Sequence, residues 1–332
     1  MTQPLPTSER TSGRFVRVLQ SVPWRSLAIV APFVVVFVAL SLGSPTFLTP
    51  LNMLNLLDRQ SGIVIIAVAS TLVLIAGGID LSVGATYMLA SVLCANFVLS
   101  AGTWAGVAAA LGAGLLVGVV NGVVTTYLKI TPLIATLAMS FIIAGATTLV
   151  AQGRLLNLTD PKFAGFKAIA QSPILGLPAS IWVAIVVVVV LGVVLARTTW
   201  GRYIYATGGN AEAARLAGIR VSSTRIFTFA VAGLAAAVAG VLDTARTAGV
   251  PTNSSVATTV TFTVLAGIVV GGTSILGGEG AIWRSVVGVL FIALVYNGFN
   301  LLRIDPLFQQ IALGVILLLA VGIDAWTRYR RR

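Results

Sequence analysis

The chain has 332 residues, of which 58% are hydrophobic and only 9% charged; soluble domains of this length rarely fall below about a fifth charged, so an aqueous globular fold is excluded and an all-α integral membrane protein is expected. Histidine is absent and Cys94 is the only cysteine, which excludes histidine metal sites and triads, thiol pairs and disulfides within the chain and leaves no metal ligand and no catalytic residue to expect. The net charge of +12 comes from arginines at the ends of hydrophobic segments rather than along one polar face, a mark of membrane topology and not of nucleic-acid binding.

In chain order, residues 1–25 are polar, carry Arg10, Arg14, Arg17 and Arg25, and show no small-residue cleavage site after a short apolar core. They read as a retained tail, not a signal peptide. The membrane domain is expected over 26–325. Hydropathy places apolar stretches at 27–42, 61–76, 85–100, 104–128, 131–151, 181–196, 226–246, 257–272, 281–302 and 308–325, about ten spans at roughly 20 residues each. The short stretches 61–76 and 257–272 both run into glycine and predict broken or half helices. Between spans, 152–180 holds Pro161, Pro173 and Pro178, which limit helix formation. The segment 197–225 carries Arg197, Arg202, Arg215, Arg220 and Arg225, and 326–332 is a basic tail. The positive-inside rule then puts both termini and 197–225 in the cytoplasm and 152–180 outside.

A weak internal repeat emerges when the glycine-rich breaks are aligned. Gly77-Gly78-Ile79-Asp80-Leu81-Ser82-Val83-Gly84 pairs with Gly271-Gly272-Thr273-Ser274-Ile275-Leu276-Gly277-Gly278. Asn121-Gly122 leads to Leu128-Lys129-Ile130-Thr131-Pro132, as Asn297-Gly298 leads to Leu302-Arg303-Ile304-Asp305-Pro306. The first half has one extra apolar segment between its landmarks. Repeated halves with interrupted helices are a transporter signature, because backbone freed from helical hydrogen bonds is tolerated in a membrane only when buried in protein or lining a cavity. Asp80 stands out, since a carboxylate beside a span is costly unless it pairs or meets water; a local helix-capping role is the alternative reading.

The polar segment 197–225 contains Glu212-Ala213-Ala214-Arg215-Leu216-Ala217-Gly218. A short helix is expected with Asn210 as N-cap, Glu212 in its first turn and Gly218 as its stop; Ala213, Ala214 and Ala217 would give it a small face that fits a groove.

Together with Gly201–Asn210 and the G-G-I-D-L-S-V-G run, this segment resembles the permease subunits of ATP-binding-cassette importers of the ribose type (ribose, xylose, arabinose, galactose). Thr131–Leu137 and Val270–Gly280 extend the similarity to nearly the whole chain, from about residue 45 to 325. The resemblance implies a multi-pass protein of the bacterial cytoplasmic (inner) membrane, with helices arranged as in the vitamin-B12-type importers and Asn210, Glu212–Arg215 and Gly218 acting as the knob that an ATPase subunit pushes. It also implies a permease homodimer, a membrane-lipid environment, and a monosaccharide or polyol delivered by an extracytoplasmic sugar-binding protein. No G-x-x-x-x-G-K-[ST] occurs, so no nucleotide cofactor is expected on this chain and ATP is hydrolysed by the partner.

For the translocation path the candidates are Asn96, Asn121, Thr136, Asn297 and Asn300, the polar side chains within predicted spans; asparagine there also serves as interhelical glue. A sugar path needs hydrogen-bonding groups and an aromatic face. Branched-chain amino acid or nucleoside transport are the alternatives within the class. An ion-coupled secondary transporter is the rival outside it, with only Asp243 and Asp324 near span ends to hold a coupling ion.

Overall fold

The computed structural model describes residues 24–152, 154, 156–250, 254–305 and 307–329, with side chains from Val30 to Gly322 except Ser254. Its helices are α1 (Trp24–Gly43), α2 (Pro50–Ile75), α3 (Val83–Ala101), α4 (Thr103–Tyr127), α5 (Pro132–Ala151), α6 (Ala164–Gln171), α7 (Ala179–Arg197), α8 (Thr199–Gly209), α9 (Ala211–Leu216), α10 (Val221–Thr247), α11 (Ser254–Val270), α12 (Ile282–Leu301) and α13 (Leu307–Tyr329). Seven are long and apolar enough to cross a membrane, and apolar segments of α1, α11 and α13 add three shorter ones. The protein is an all-helical, multi-pass membrane protein. Most of the tails expected at 1–25 and 326–332 lies outside the described residues, although α13 carries helix through Tyr329.

The long helices stay together largely through small residues, because lipid offers apolar side chains no reason to prefer protein. On α4, Gly114, Gly118 and Gly122 recur every four residues and lie against α10; a methyl at Gly118 would sit 2.3 Å from the Phe229 carbonyl oxygen. Helix α2 is the axial element, with every residue from Val64 to Ile75 buried. Thr49 opens it, its hydroxyl accepting the Asn52 N–H with Pro50 in the first turn.

The stretch 152–180 is more ordered than its prolines suggest. It holds a 3₁₀ turn at Pro161–Phe163, then α6, then a small hairpin of β1 (Pro173–Ile174) and β2 (Leu177–Pro178). Leu156, Leu158 and Phe166 are buried, and Gln171 donates to the carbonyls of Ala245 and Arg246 at the end of α10. The prolines bound the short helix instead of preventing it.

Both glycine breaks end their helices in the same way. Gly77 (φ 80°) follows α2 and Gly272 (φ 72°) follows α11. The next amide in each case, Gly78 or Thr273, donates back to the carbonyl of Val73 or Ile268, the double-bonded left-handed stop that glycine favours. The structural partner of Gly77 is therefore Gly272, one residue on from the Gly77–Gly271 pairing read from sequence. That pairing matched glycine runs by letter, whereas backbone geometry selects the one residue that must turn left-handed. The second landmarks agree too: Lys129 (φ 53°) and Arg303 (φ 55°) turn the chain after α4 and α12. The first half holds both α3 and α4 between its landmarks and the second half only α12.

Candidate functional site: the α8–α9 segment and the two helix breaks

Helix α9 forms as its residues dictate. The Asn210 side-chain oxygen accepts the N–H groups of Glu212 and Ala213, both at 3.0 Å. Gly218 (φ 83°) closes the helix, its N–H donating to Arg215 and that of Ile219 to Ala214. Arg215 meets Glu212 at 2.8 Å, but both side chains are more than 60% exposed, so this pair contributes little. Ala214 is buried against the protein's own body, which corrects the expected groove-fitting face: with 3.6 residues per turn, the residue in register with the body cannot also point outward. The outward face comprises Glu212, Ala213, Leu216 and Ala217, and Leu216 is 83% exposed. A bare leucine on the polar segment was the signal for it in the sequence.

Helix α8 had not been expected. It is amphipathic, with Gly201, Ile204 and Thr207 buried, the Trp200 ring 4.6 Å from Phe227 of α10, and the Thr198 side chain capping its start. It delivers Gly208 and Gly209 to the two helix breaks. A methyl at Gly208 would lie 1.7 Å from the Ile75 carbonyl oxygen and 2.7 Å from the Gly278 nitrogen. The Gly278 N–H itself donates to Ile75 at 2.8 Å, and a methyl on Gly277 would come within 2.9 Å of the Gly77 Cα. So the end of α2, the second break and the end of α8 meet as bare backbone. Tyr205 adds a strap, its hydroxyl donating to the Gly280 carbonyl at 2.8 Å. Burial pushes the Tyr205 pKa above its ordinary value, with the Arg284 charge acting against this, so the hydroxyl stays a donor. Only Asn210 separates this junction from α9.

From the junction, residues 78–82 run back into the bundle. Gly78 lies against Val73 and the Phe229 ring, and Gly84 packs on the Ala257 carbonyl. Ala257 stands thirteen residues before the end of α11, about 20 Å at 1.5 Å per residue. Helix α3 thus starts inside the bundle, and its non-helical approach needs side-chain partners. Thr136 accepts the Leu81 N–H at 3.0 Å and Thr261 that of Gly84 at 3.1 Å. The carboxylate of Asp80 accepts both the N–H and the hydroxyl of Ser82, at 2.8 and 2.7 Å. Asn121 donates in turn to the Ser82 oxygen at 2.7 Å. Asp80 is therefore bound locally within the broken segment, three residues before α3 begins at Val83 with Ser82 as its N-cap.

The five polar residues put forward for the path are each engaged in packing. Asn121 and Thr136 hold the break. Asn96 donates to the Val92 carbonyl and, at 3.5 Å, to that of Val150 on α5. Asn297 exchanges two hydrogen bonds with Asn52 of α2, at 3.1 and 2.9 Å, and Asn300 accepts from Gln309 of α13. None of the five lines the cavity of about 620 Å³ between α3, α5 and α11. Asp243 is matched by Arg246 and accepts the Tyr87 hydroxyl; the Asp324 side chain lies outside the described residues.

Comparison with known proteins accords with this geometry. Residues 52–321 match the family described as branched-chain amino acid transport system / permease component. The chain is 36% identical over 285 residues to the ribose import permease of Escherichia coli K12, covering 85% of this chain and 88% of that protein. It is 38% identical over 313 residues to the L-arabinose transport system permease of the same strain, covering 93% of each. With the ribose import permease of Bacillus subtilis 168 it shares 36% over 299 residues, 88% of this chain and 91% of the relative. No solved structure matches the chain. A broken-helix membrane bundle that carries a capped polar knob and aligns with these relatives over 85–93% of its length belongs to the ribose-type sugar permease family of ATP-binding-cassette importers, a transporter subunit and not an enzyme.

Proposed function

We propose that this chain forms the translocation path for a monosaccharide or related polyol in a bacterial inner membrane, driven by a separate ATPase subunit and supplied by an extracytoplasmic sugar-binding protein. Two copies form the path, with helices arranged as in the vitamin-B12-type importers and both termini in the cytoplasm. Six apolar helices precede α8–α9 and four follow, in keeping with that arrangement. ATP is bound and hydrolysed on the partner.

The observation that carries this reading is the junction of bare backbone next to α9. Force applied to a capped, one-and-a-half-turn helix with an exposed leucine reaches, through Gly208, the end of α2 and the second break together. Packed backbone is stiff, so a shift at α9 moves both interrupted segments as a unit. ATP binding closes the ATPase pair and carries α9 with it; the broken segments follow and the path changes the side to which it opens. The ion-coupled alternative loses one of its two acidic groups, because Asp243 already has Arg246 and Tyr87 as partners. Substrate class follows the names of the relatives, which are ribose and arabinose permeases.

The test is the double substitution Glu212→Arg with Gly218→Trp, assayed in the assembled transporter. Transport should be abolished and the ATPase should no longer co-purify, while membrane insertion and dimerisation persist. Normal uptake by this variant would refute the coupling role.

A further inference from the structure

The cavity of about 620 Å³ between α3, α5 and α11 falls within the range of small-molecule sites, roughly 300–1,000 Å³, and none of the features above accounts for it. Its α5 wall places Ser140, Phe141 and Thr148 on one face, and its α11 wall places Thr258 and Phe262 opposite. We propose, on the sugar-permease reading given above, that this cavity is one protomer's share of the sugar path, with the hydroxyls of Ser140, Thr148 and Thr258 and the rings of Phe141 and Phe262 as its sugar contacts.

The chemistry of the wall selects the ligand class. No charged side chain lines the cavity among the described residues, so an amino acid would leave both its carboxylate and its ammonium without a partner, at high cost. An uncharged polyhydroxyl solute has no such penalty. Ser140 and Thr148 donate their protons to their own helix, at the carbonyls of Leu137 (2.6 Å) and Ala144 (3.0 Å). Their oxygens keep acceptor capacity for a sugar hydroxyl. Phe141 is 72% exposed and Phe262 41%, leaving aromatic surface for the C–H face of a sugar ring. Such a wall binds weakly, as a path requires if the solute is to leave again.

The cavity is also joined to the coupling machinery. Leu81 of the first break forms part of its lining, and Thr261, on the α11 wall, accepts the Gly84 N–H. Movement of the break alters the cavity directly.

The test uses the whole transporter, this chain with its ATPase and binding protein, in cells without other pentose or hexose importers. Uptake of radiolabelled D-ribose, L-arabinose, D-xylose and D-galactose identifies the solute carried. Thr148→Val and Thr258→Val should each slow its uptake about fivefold, the loss of one neutral hydrogen bond, with ATPase stimulation by the loaded binding protein within twofold of wild type. Thr148→Ser, which keeps the hydroxyl, should restore uptake. Wild-type uptake by both valine variants overturns the cavity assignment alone; accumulation of none of the four sugars by the wild-type transporter overturns the sugar reading and the cavity with it. A second measurement does not depend on substrate. In a Cys94→Ser background, Thr148→Cys should react with a cationic water-soluble methanethiosulfonate, and Leu149→Cys, on the 78% exposed neighbour outside the cavity lining, should not. Failure of Thr148→Cys to react means a dry cavity and overturns the proposal.

Discussion

Gly208 is the residue on which the three-way backbone junction turns. An added methyl would overlap the Ile75 carbonyl oxygen, at 1.7 Å, and crowd the amide that oxygen accepts. Neither neighbour is the flexible tip of a side chain, so the backbone itself would have to shift. Gly208→Ala should therefore destabilise the chain by about 1–3 kcal/mol or more, seen as a lower unfolding temperature of the purified protein in detergent. Gly209→Ala, at a position with nothing within 4 Å of the added carbon, should leave that temperature unchanged; equal effects at both positions would contradict the junction. From sequence, Gly208-Gly209 is simply a flexible pair ahead of a cap. What it approaches lies 133 residues earlier, at Ile75, and 70 later, at Gly278, beyond the reach of any local pattern. Asp80 was conspicuous for a local reason, and its partner Ser82 is indeed local; the support from Asn121 and Thr136 is not.

At the level of elements, capping chemistry acts within one turn, which is why α9 was legible from Asn210 to Gly218 while the burial of Ala214 and the exposure of Leu216 were not. Helix α8 escaped notice because its apolar face rests on Ile204 and ring packing by Trp200, with polar residues between. The asparagines illustrate the same boundary between helices. The Asn52–Asn297 pair ties α2 to α12 through two hydrogen bonds. Asn297→Leu should lower stability by about 0.6–1.7 kcal/mol, partly because the Asn52 side-chain oxygen loses its donor while its amide keeps the Phe47 carbonyl. The double variant with Asn52→Leu should recover much of that loss. Thermal unfolding of the three variants checks it; strictly additive losses would mean that the two side chains do not act as a pair.

On the scale of the whole molecule, two interrupted halves converge on a single polar segment. The hairpin tip at Leu175 and the knob at Leu216 are 87% and 83% exposed, and an odd number of apolar helices, α7 alone, separates them. If α7 crosses the membrane they face opposite sides, and the proposed topology, with the arginines of 197–225 inside, puts Leu216 in the cytoplasm and Leu175 outside. In intact cells and a Cys94→Ser background, Leu175→Cys should react with an impermeant maleimide and Leu216→Cys only after the membrane is opened. The reverse pattern would invert the topology.

Composition, the run of apolar segments and the local caps were determined by the sequence alone, because each rests on transfer free energy or on hydrogen bonds within a turn. Membrane class, the position of the polar knob and the existence of two breaks follow from those terms. Only the tertiary structure decided that both breaks and α8 share one junction, that α3 begins inside the bundle, and that the predicted asparagines hold helices while hydroxyls on α5 and α11 line the cavity. Apolar helices present nearly the same character all round, so no periodicity reveals which face meets protein, lipid or solute; close approach at glycine and long-range hydrogen bonds make that choice.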